Sequence, residues 1–416
     1  MKFLADLHIH SSYSLASAKN INVENLYVAS RMKGLTVLGT GDFTHPGRLN
    51  ELKEKLILDN NGLYRLKNKI KNSCEEFIPQ SCKGLFRFIP TGEVCNIYKK
   101  NGKTRKIHSI LLFPDLNLVE KLNGKIKKFG KTESNGRPIL KLDVINLFEI
   151  ILEISDKAML IPAHIWTPWY SIFGSKSGFD CIKECFEDFS QYIFAVETGL
   201  SSDPDMCRKV SDLDNRTLIS NSDAHSPSKL GREANIFDTD LSYRAITEAI
   251  ISCDPKKFLG TVEYYPEEGK YHADGHRNCN LLLMPEETIK YGGKCPVCNK
   301  NITIGVLHRI NDLSDKKGIK NKRFLCYKTI PLLEILAEIF KSGLNSKKLN
   351  SEYNNLLIKL GPELEILNFI EIKELNKIGI PLFAEAISKM RKNEVNIIPG
   401  YDGQYGRIKI FKTRKG

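Results

Sequence analysis

The chain has 416 residues, of which 41% are hydrophobic, so we expect two or three domains with a sizeable core. No apolar run approaches the roughly 18 residues that a membrane span needs, which excludes a membrane-spanning helix. The formal net charge of +13 favours a polyanionic partner, nucleic acid above all. The alternative is a soluble protein from a lysine-rich proteome.

Seven short apolar runs rich in β-forming residues predict strands in the first 225 residues. The runs are Lys2–Leu7, Leu35–Thr40, Phe86–Pro90, Ile107–Phe113, Ala158–Pro162, Tyr192–Val196 and Thr217–Ile219. Their continuous apolar character suits strands buried on both faces, as in a parallel sheet. Helical patterns lie between several of them, over Val23–Met32, Leu142–Ile154 and Phe179–Phe189. This alternation predicts an α/β barrel or a doubly wound sheet.

The composition changes along the rest of the chain and predicts three domains. The first, residues 1–265, closes with a helix over Tyr243–Ser252. The second, 266–327, begins rich in Gly, His and Cys and has little periodic apolar pattern. The third, 328–416, is basic and predicted to be helical over TIPLLEILAEIF, SEYNNLLIKL and PLFAEAISKMRKN. A polar connector is expected over Leu344–Asn350, and a strand-like run at the end.

The first ten residues, MKFLADLHIH, lack the pattern of a signal peptide, so we expect a cytoplasmic protein. Its eleven cysteines would then lie in a reducing compartment. There a CxxC pair is more often a metal site than a disulfide.

Side chains that bind metals stand near the ends of the predicted strands. In chain order they are His8 and His10, Asp42 and His45, Glu93, His108, His164, Glu197, and Asp223 and His225. Because alternate residues of a strand share a face, His8 and His10 can hold one ion between them. The carboxyl ends of barrel strands converge at one mouth, although His108 lies near the start of its run and fits less well. Imidazoles and carboxylates in this number suit two or three zinc, manganese or iron ions, which activate water and clamp a phosphoryl group.

The segments DLHIHSSYS, GTGDFTH and SDAH, with Glu93 and His164, resemble the polymerase-and-histidinol-phosphatase (PHP) family over residues 1 to about 265. The resemblance implies a distorted seven-stranded α/β barrel with a trinuclear metal site that hydrolyses phosphoesters. It implies one ion held by His8, His10, Glu93 and Asp223, a second by Glu93, His108 and His164, and a third by Asp42 or His45 with His225. Catalytic roles are expected for Glu93, Asp223 and His225.

Two positions leave the ligand set open. The second motif of the PHP family is often an adjacent Asp-His pair, whereas Phe43 and Thr44 separate Asp42 from His45. Glu197 is not a general ligand of that family. Its alternatives are to coordinate metal, to orient a water, or to hydrogen-bond behind the ligands.

A second metal site is predicted by four residues with paired spacing. Cys295 and Cys298 form CPVC, and His276 and Cys279 form HRNC, sixteen residues upstream of Cys295. Together they predict a closed Cys3His zinc site, which would stabilise a segment with little core of its own. His272 is the rival for the fourth position, and the alternative is a redox or chance CxxC.

The segments YHADGHRNC, KCPVC, TIGVLHRINDL and PGYDGQYGRIKIF, with the barrel motifs, resemble the archaeal and bacterial endonuclease Q family over almost the whole chain. That family nicks DNA on the 5′ side of deaminated bases, including uracil, hypoxanthine and xanthine, and of abasic sites. The resemblance implies a prokaryotic, nucleoid-associated repair enzyme whose partner is double-stranded or single-stranded DNA with a damaged base. It implies zinc at both sites, with magnesium or manganese as the alternative at the catalytic one. A sliding clamp stays open as a partner without support, because Arg407 stands three residues after Gln404 in place of an aliphatic anchor.

Recognition of a damaged base requires access to its Watson–Crick edge, so we expect the nucleotide to be flipped into a pocket between barrel and zinc module. The candidates for stacking are Tyr13, Trp166, Trp169 and Tyr170, and those for phosphate contact are Arg407 and Lys409. The alternatives are ordinary packing and a solvated charged face. Two rival functions are a phosphatase of a small phosphoester such as histidinol phosphate, and a non-catalytic DNA-binding protein. The zinc module is superfluous for the first, and the near-complete ligand set argues against the second.

Overall fold

The computed structural model describes residues 1–316 and 324–411, and these form a mixed α/β fold with a helical C-terminal region. The strands are β1 (Lys2–Asp6), β2 (Val37–Gly39), β3 (Leu56–Leu58), β4 (Tyr64–Leu66), β5 (Arg87–Ile89), β6 (Thr91–Lys100), β7 (Lys103–Leu112), β8 (Ile139–Leu140), β9 (Met159–Pro162), β10 (Ala195–Glu197), β11 (Thr217–Ile219), β12 (Ala234–Asp238), β13 (Phe258–Glu263), β14 (Asp274–His276), β15 (Leu281–Leu283), β16 (Leu325–Lys328), β17 (Asn396–Ile398) and β18 (Arg407–Lys409).

The α-helices follow the apolar periodicity of the sequence and begin, in several cases, at a capping side chain. They are α1 (Val23–Lys33), α2 (Pro46–Lys55), α3 (Asn68–Glu75), α4 (Leu116–Ile126), α5 (Val144–Ile154), α6 (Ile182–Phe186), α7 (Pro204–Cys207), α8 (Tyr243–Ser252), α9 (Pro285–Lys290), α10 (Val306–Leu313), α11 (Leu332–Phe340), α12 (Lys347–Leu360), α13 (Glu363–Asn368), α14 (Ile372–Asn376) and α15 (Phe383–Arg391). Of these described helices, none is long and apolar enough to cross a membrane.

Three sheets carry the predicted strands. An eight-stranded sheet has the order β16-β13-β12-β1-β2-β5-β4-β3, and a four-stranded sheet has the order β8-β6-β7-β9. Strands β10 and β11 form a parallel pair. Strands β1, β2 and β5 are parallel, so their carboxyl ends lie at one edge of the large sheet. That edge carries the first ligand-type side chains of the sequence.

A few backbone hydrogen bonds join the ends of the three sheets near this edge. The amide of Asp223, after β11, donates to the carbonyl of His8, after β1, at 2.9 Å, and the amide of His10 donates to Ala224 at 3.0 Å. Likewise the amide of Ile165, after β9, donates to the carbonyl of Glu197 at 3.0 Å. Segments that are distant in sequence therefore converge where the strands end.

The pairing confirms the mixed α/β fold but does not confirm the distorted seven-stranded barrel that the resemblance implies. Among the described residues the strands pair as separate sheets, and β7 is antiparallel to both of its neighbours, β6 and β9. Glu93, which we expected near the end of the third predicted strand, lies inside a strand instead. Pro90, which has no amide hydrogen to donate, separates β5 from β6, and Glu93 lies within β6. The mixed α/β class is confirmed, but the closed barrel is not observed.

The C-terminal region is helical, as the sequence predicts, with one local difference. The connector expected over Leu344–Asn350 is only half correct, because α12 begins at Lys347. Ser346 caps this helix by accepting a hydrogen bond from the amide of Leu349 at 3.1 Å. The boundaries at 265 and 327 stay predictions. Strand β16 spans the second boundary and pairs with β13 of the large sheet, and residues 317–323 lie outside the described part of the chain.

Candidate metal centre

The first group of converging ligand atoms consists of His8, His10 and Asp223. The His10 Nε2 atom lies 3.0 Å from Asp223 Oδ1, and the His8 Nε2 atom lies 3.8 Å from the same oxygen. All three atoms are buried and have no hydrogen-bond partner among the described residues. Four ligands about 2.1 Å from a tetrahedral ion would be spaced about 3.4 Å apart, so these distances fit a single cation.

The second group consists of Glu93, His108 and His164. The Glu93 Oε1 atom lies 2.7 Å from His108 Nδ1 and 3.3 Å from His164 Nε2. Its other oxygen, Oε2, lies 3.5 Å from His8 Nε2 and 3.3 Å from His10 Nε2. Glu93 therefore reaches both groups with one carboxylate, which is how a bridging ligand serves a two-metal site.

Two further carboxylates lie behind the histidines. The Asp42 Oδ1 atom is 2.9 Å from His10 Nδ1, and the Glu197 Oε1 atom is 3.0 Å from His8 Nδ1. Asp42 is fixed by the amide and hydroxyl of Ser11, both at 2.6 Å. Glu197 also accepts hydrogen bonds from the amide of His164 at 2.8 Å and from the side chain of Asn221 at 2.9 Å. This position lets both carboxylates orient the rings that face the centre.

His45 and His225 lie at the margin of the centre. His45 caps α2, where its Nδ1 accepts the amide hydrogen of Gly47, and its Nε2 lies 2.9 Å from the carbonyl of Glu133. The ring of His225 lies 4.3 Å from that of His10, and its Nδ1 is 2.9 Å from the carbonyl of Asp223. Within the described residues, no group of three or more converging ligand atoms includes Asp42, His45, Glu197 or His225.

Backbone geometry marks the same site. Asp42, His164 and Asp223 have positive φ angles of 51°, 29° and 46°. A residue with a Cβ adopts this region at a cost, and such strain concentrates at functional sites. Each of the three follows the end of a different strand, and the turns place the side chains of His164 and Asp223 among the converging ligands and that of Asp42 behind His10.

Burial and charge set opposite protonation states within the centre. Burial lowers the pKa of His108 to about 4, so its ring is neutral at pH 7. Burial also disfavours the protonated form of His8, but Glu197 and Glu93 outweigh it and raise the His8 pKa well above its usual value. The pKa of Glu93 is well below its usual range, because His108, Arg137 and His8 outweigh its burial. The centre thus concentrates buried, ionised carboxylates, and these favour positive charge beside them, whether a protonated ring or a divalent cation.

Arg137 also belongs to the centre, although sequence reasoning missed it. Its Nη1 atom donates to Glu93 Oε2 at 2.9 Å. It lies in the polar segment KTESNGRP, which reads as an ordinary connector. Its place next to Glu93 depends on how that segment folds back, which no sequence pattern reveals.

A separate group contains His276, Cys279, Cys295 and Cys298, whose ligand atoms lie within 4.8 Å of one another. The His276 Nδ1 atom is 3.6 Å from Cys298 Sγ. Strand β14 ends at His276, and the amide of Asn299 donates to the carbonyl of Cys295 in a tight turn. His272, the rival fourth ligand, is buried and outside the group. Three cysteines and one histidine are the donor set of a structural zinc site.

The candidates for stacking differ in exposure. Trp166 is 1% exposed and donates its indole N–H to Cys207 Sγ at 3.2 Å, so it serves packing in this structure. Trp169 is 39% exposed and makes an edge contact with Tyr271 at 5.8 Å. Tyr170 packs on His108 at 4.9 Å and Tyr13 on His45 at 4.5 Å. The phosphate candidates Arg407 and Lys409 are both exposed on β18.

The comparisons with known proteins cover the whole chain. Residues 331–394 match the family model of the MJ0043 C-terminal domain. The chain is 34% identical over 314 residues to protein MJ0043 of Methanocaldococcus jannaschii, and it spans 38% of that protein's length. It is 28% identical to protein YqxK of Bacillus subtilis, over 98% of this chain and 99% of YqxK.

Two solved structures are similar over the full length. One is the lesion-specific endonuclease PfuEndoQ from Pyrococcus furiosus, with 30% identity, a TM-score of 0.85, and coverage of 100% of this chain and 98% of that one. The other is endonuclease Q in complex with a 27-mer duplex that has an abasic lesion at the active site. This structure is 30% identical in sequence, with a TM-score of 0.83, and the match covers 100% of this chain and 99% of that one.

The fold and the site thus define an α/β enzyme with clustered metal-ligating side chains and a separate cysteine–histidine group. More specifically, the chain belongs to the endonuclease Q family of hydrolases that act on DNA.

Proposed function

We propose that the protein is a DNA repair endonuclease that hydrolyses the phosphodiester on the 5′ side of a deaminated base or an abasic site. The observation that carries this proposal is the convergence of two ligand groups on Glu93 in a chain with full-length similarity to a lesion-specific endonuclease. The abasic lesion at the active site of the solved complex supports damaged duplex DNA as the substrate.

The converging side chains form two ligand sets, each of which would hold one divalent cation. His8, His10, Asp223 and Glu93 would hold one divalent cation, and Glu93, His108 and His164 a second. Such cations supply Lewis acidity, which lowers the pKa of water and neutralises charge on a phosphoryl group. Asp42 and Glu197 keep the Nδ1 sides of His10 and His8 occupied, so that each Nε2 faces the centre.

We further propose that the damaged nucleotide is flipped out of the duplex. Deaminated bases pair wrongly or weakly, which lowers the cost of extrusion by up to a few kcal/mol. Trp169 supplies exposed aromatic surface, and its edge contact with the half-buried Tyr271 brings together the loop after His164 and the segment that leads to the cysteine–histidine group. A flipped base needs such surface to stack upon.

The test is a nicking assay with matched 5′-labelled duplexes that contain one deoxyuridine, one deoxyinosine, one abasic site, or none. We expect cleavage only of the damaged strands, at the phosphodiester 5′ to the lesion, and its loss on treatment with a chelator. The same oligonucleotides as single strands show whether a duplex is required. Equal cleavage of undamaged DNA, or hydrolysis of histidinol phosphate without any nicking, would refute the proposal.

A further inference from the structure

Arg137 is held at the metal centre by a loop that packs closely on the first motif. The amide of Gly136 donates to the carbonyl of Tyr13 at 2.9 Å, and the Thr44 hydroxyl donates to the carbonyl of Gly136 at 2.8 Å. A Cβ at position 136 would lie 2.5 Å from Asp42 Oδ2, so only glycine allows this approach. The loop therefore fixes Arg137 at the centre.

The guanidinium of Arg137 is only partly used by the protein. Nη1 donates to Glu93 Oε2 at 2.9 Å, whereas Nε and Nη2 have no hydrogen-bond partner among the described residues. The side chain is 30% exposed, while the Glu93 side chain beside it is 0% exposed. An arginine that is anchored at one nitrogen and open to solvent at the others is preorganised to receive an anion.

We propose that Arg137 contacts a non-bridging oxygen of the scissile phosphate while it holds Glu93, an inference that rests on the proposed function. In phosphoryl transfer, charge is spread over the equatorial oxygens, and a fixed guanidinium stabilises that charge. The fork of nitrogens allows one side chain to contact Glu93 and a phosphate oxygen together, which a single ammonium does less well.

The rival role is that Arg137 only holds the Glu93 carboxylate in place. In that case loss of Arg137 would disturb the metal ligands first and the reaction as a consequence. The two roles therefore differ in metal content and in DNA binding, which are both measurable without turnover.

The experiment compares wild type, Arg137→Ala, Arg137→Lys and Lys131→Ala, an exposed cation on the same loop. Single-turnover rates on the deoxyuridine duplex, metal content after dialysis, and the salt dependence of duplex binding in chelator are measured for each. We expect the Ala variant to keep its metal content, to lose roughly 100-fold or more in rate, and to lose about one unit of salt slope. The Lys variant should be intermediate, and Lys131→Ala should match wild type in rate.

Different outcomes separate the two proposals. If wild type nicks no damaged duplex, the proposed function fails. If wild type nicks and Arg137→Ala nicks at a similar rate, the role of Arg137 fails. It fails as well if metal content and rate fall together with an unchanged salt slope. If the melting temperature of Arg137→Ala is well below that of wild type, the rate of Arg137→Lys is used instead. A wild-type rate in Arg137→Lys would exclude a simultaneous contact of the guanidinium with Glu93 and the phosphate.

Discussion

In His8 and His10, the hydrogen-bond partner of Nδ1 determines whether Nε2, which faces the centre, can bind a cation. A proton on Nδ1 of His8, shared with Glu197, leaves the lone pair of Nε2 free for a cation. Asp42 serves His10 in the same way, with Ser14 as a second contact at 3.0 Å. Because neither carboxylate belongs to a converging ligand group of the described residues, we propose that both orient the histidine rings.

Asp223→Asn should cut the nicking rate by roughly 1,000-fold while DNA binding is retained. An amide lacks the negative charge that a carboxylate gives a catalytic cation. Asn tolerates the left-handed backbone, so the φ of 46° at this position should be preserved. Single-turnover cleavage and fluorescence anisotropy of the same deoxyuridine duplex make the measurement.

The control is Asp238→Asn, because Asp238 ends β12 with a side chain that is 51% exposed. It should behave as wild type in both assays. Near wild-type cleavage by Asp223→Asn would place the reaction elsewhere in the protein.

Most ligand-type residues could be predicted from the sequence because they follow strand ends. His8 and His10 follow β1 and Asp223 follows β11, and the ends of these strands meet, whereas His164 follows β9 of the four-stranded sheet and joins Glu93 and His108. What the sequence could not separate was ligand from supporting residue. Asp42 and Glu197 have the same local pattern as the converging residues, and only the direction of each side chain places them behind the rings.

At the scale of elements, the sequence pattern did not predict strand β6, which pairs antiparallel with β7. The apolar run from Phe86 ends at Pro90, and the following TGEVCNI has only three apolar residues, so the sequence predicts one strand followed by a motif. In the structure β6 forms a hairpin with β7, and His108 lies within a ten-residue strand opposite Cys95. This hairpin brings His108 to Glu93, which explains why the position of His108 looked poor in the sequence.

The cysteine–histidine group should act through the structure of its segment. Its described apolar cluster consists of Leu283, Cys295 and Ile302, with Cys279 and Leu281 packed against it. We expect such a small core to need an ion to order the segment, because ion binding contributes about 10–16 kcal/mol in small zinc modules. The binding of the ion and the folding of the segment would then be coupled.

Cys298→Ser should remove one zinc equivalent and weaken discrimination between damaged and normal duplex. The α/β region has its own extensive core, so its hydrolysis of a small activated phosphodiester should persist. Elemental analysis and both cleavage assays test this, with Cys181→Ser as the control outside the group. If both activities fell together at an unchanged melting temperature, the cysteines would belong to the catalytic centre.

At the scale of the whole molecule, net charge and internal charge have different effects. The excess of +13 gives long-range attraction to DNA without sequence preference. The pH dependence of stability, in contrast, depends on buried carboxyl groups at the ends of β12 and β13 of the large sheet. Glu233 and Glu263 are 1% and 0% exposed, and the Ser220 hydroxyl lies 2.9 Å from one and 3.2 Å from the other.

Glu233→Gln should make the protein less sensitive to rising pH. Burial, with Glu197 nearby, raises the pKa of Glu233 to about 8, whereas in the unfolded chain it is near 4.5. Between these values the folded state binds more protons than the unfolded state. Stability is therefore full below about pH 4.5 and is lost as the pH rises towards 8, by a few kcal/mol in all.

The glutamine side chain stays neutral and can still accept the Ser220 hydrogen bond, so the variant should keep that stability at pH 9. Melting temperatures from pH 5 to pH 9, in chelator and at constant ionic strength, measure the effect for wild type and variant. Burial and the nearby Glu233 carboxylate raise the pKa of Glu263, which shares the Ser220 hydroxyl, so the difference between the two curves reports Glu233 together with its effect on Glu263. Glu120→Gln is the control, because its side chain is 65% exposed, and its curve of melting temperature against pH should be parallel to that of wild type. If the melting-temperature curve of Glu233→Gln also ran parallel to that of wild type, the pKa of Glu233 would be the same in the folded and unfolded states. A positive charge that the structure does not show would then have to offset the effect of burial.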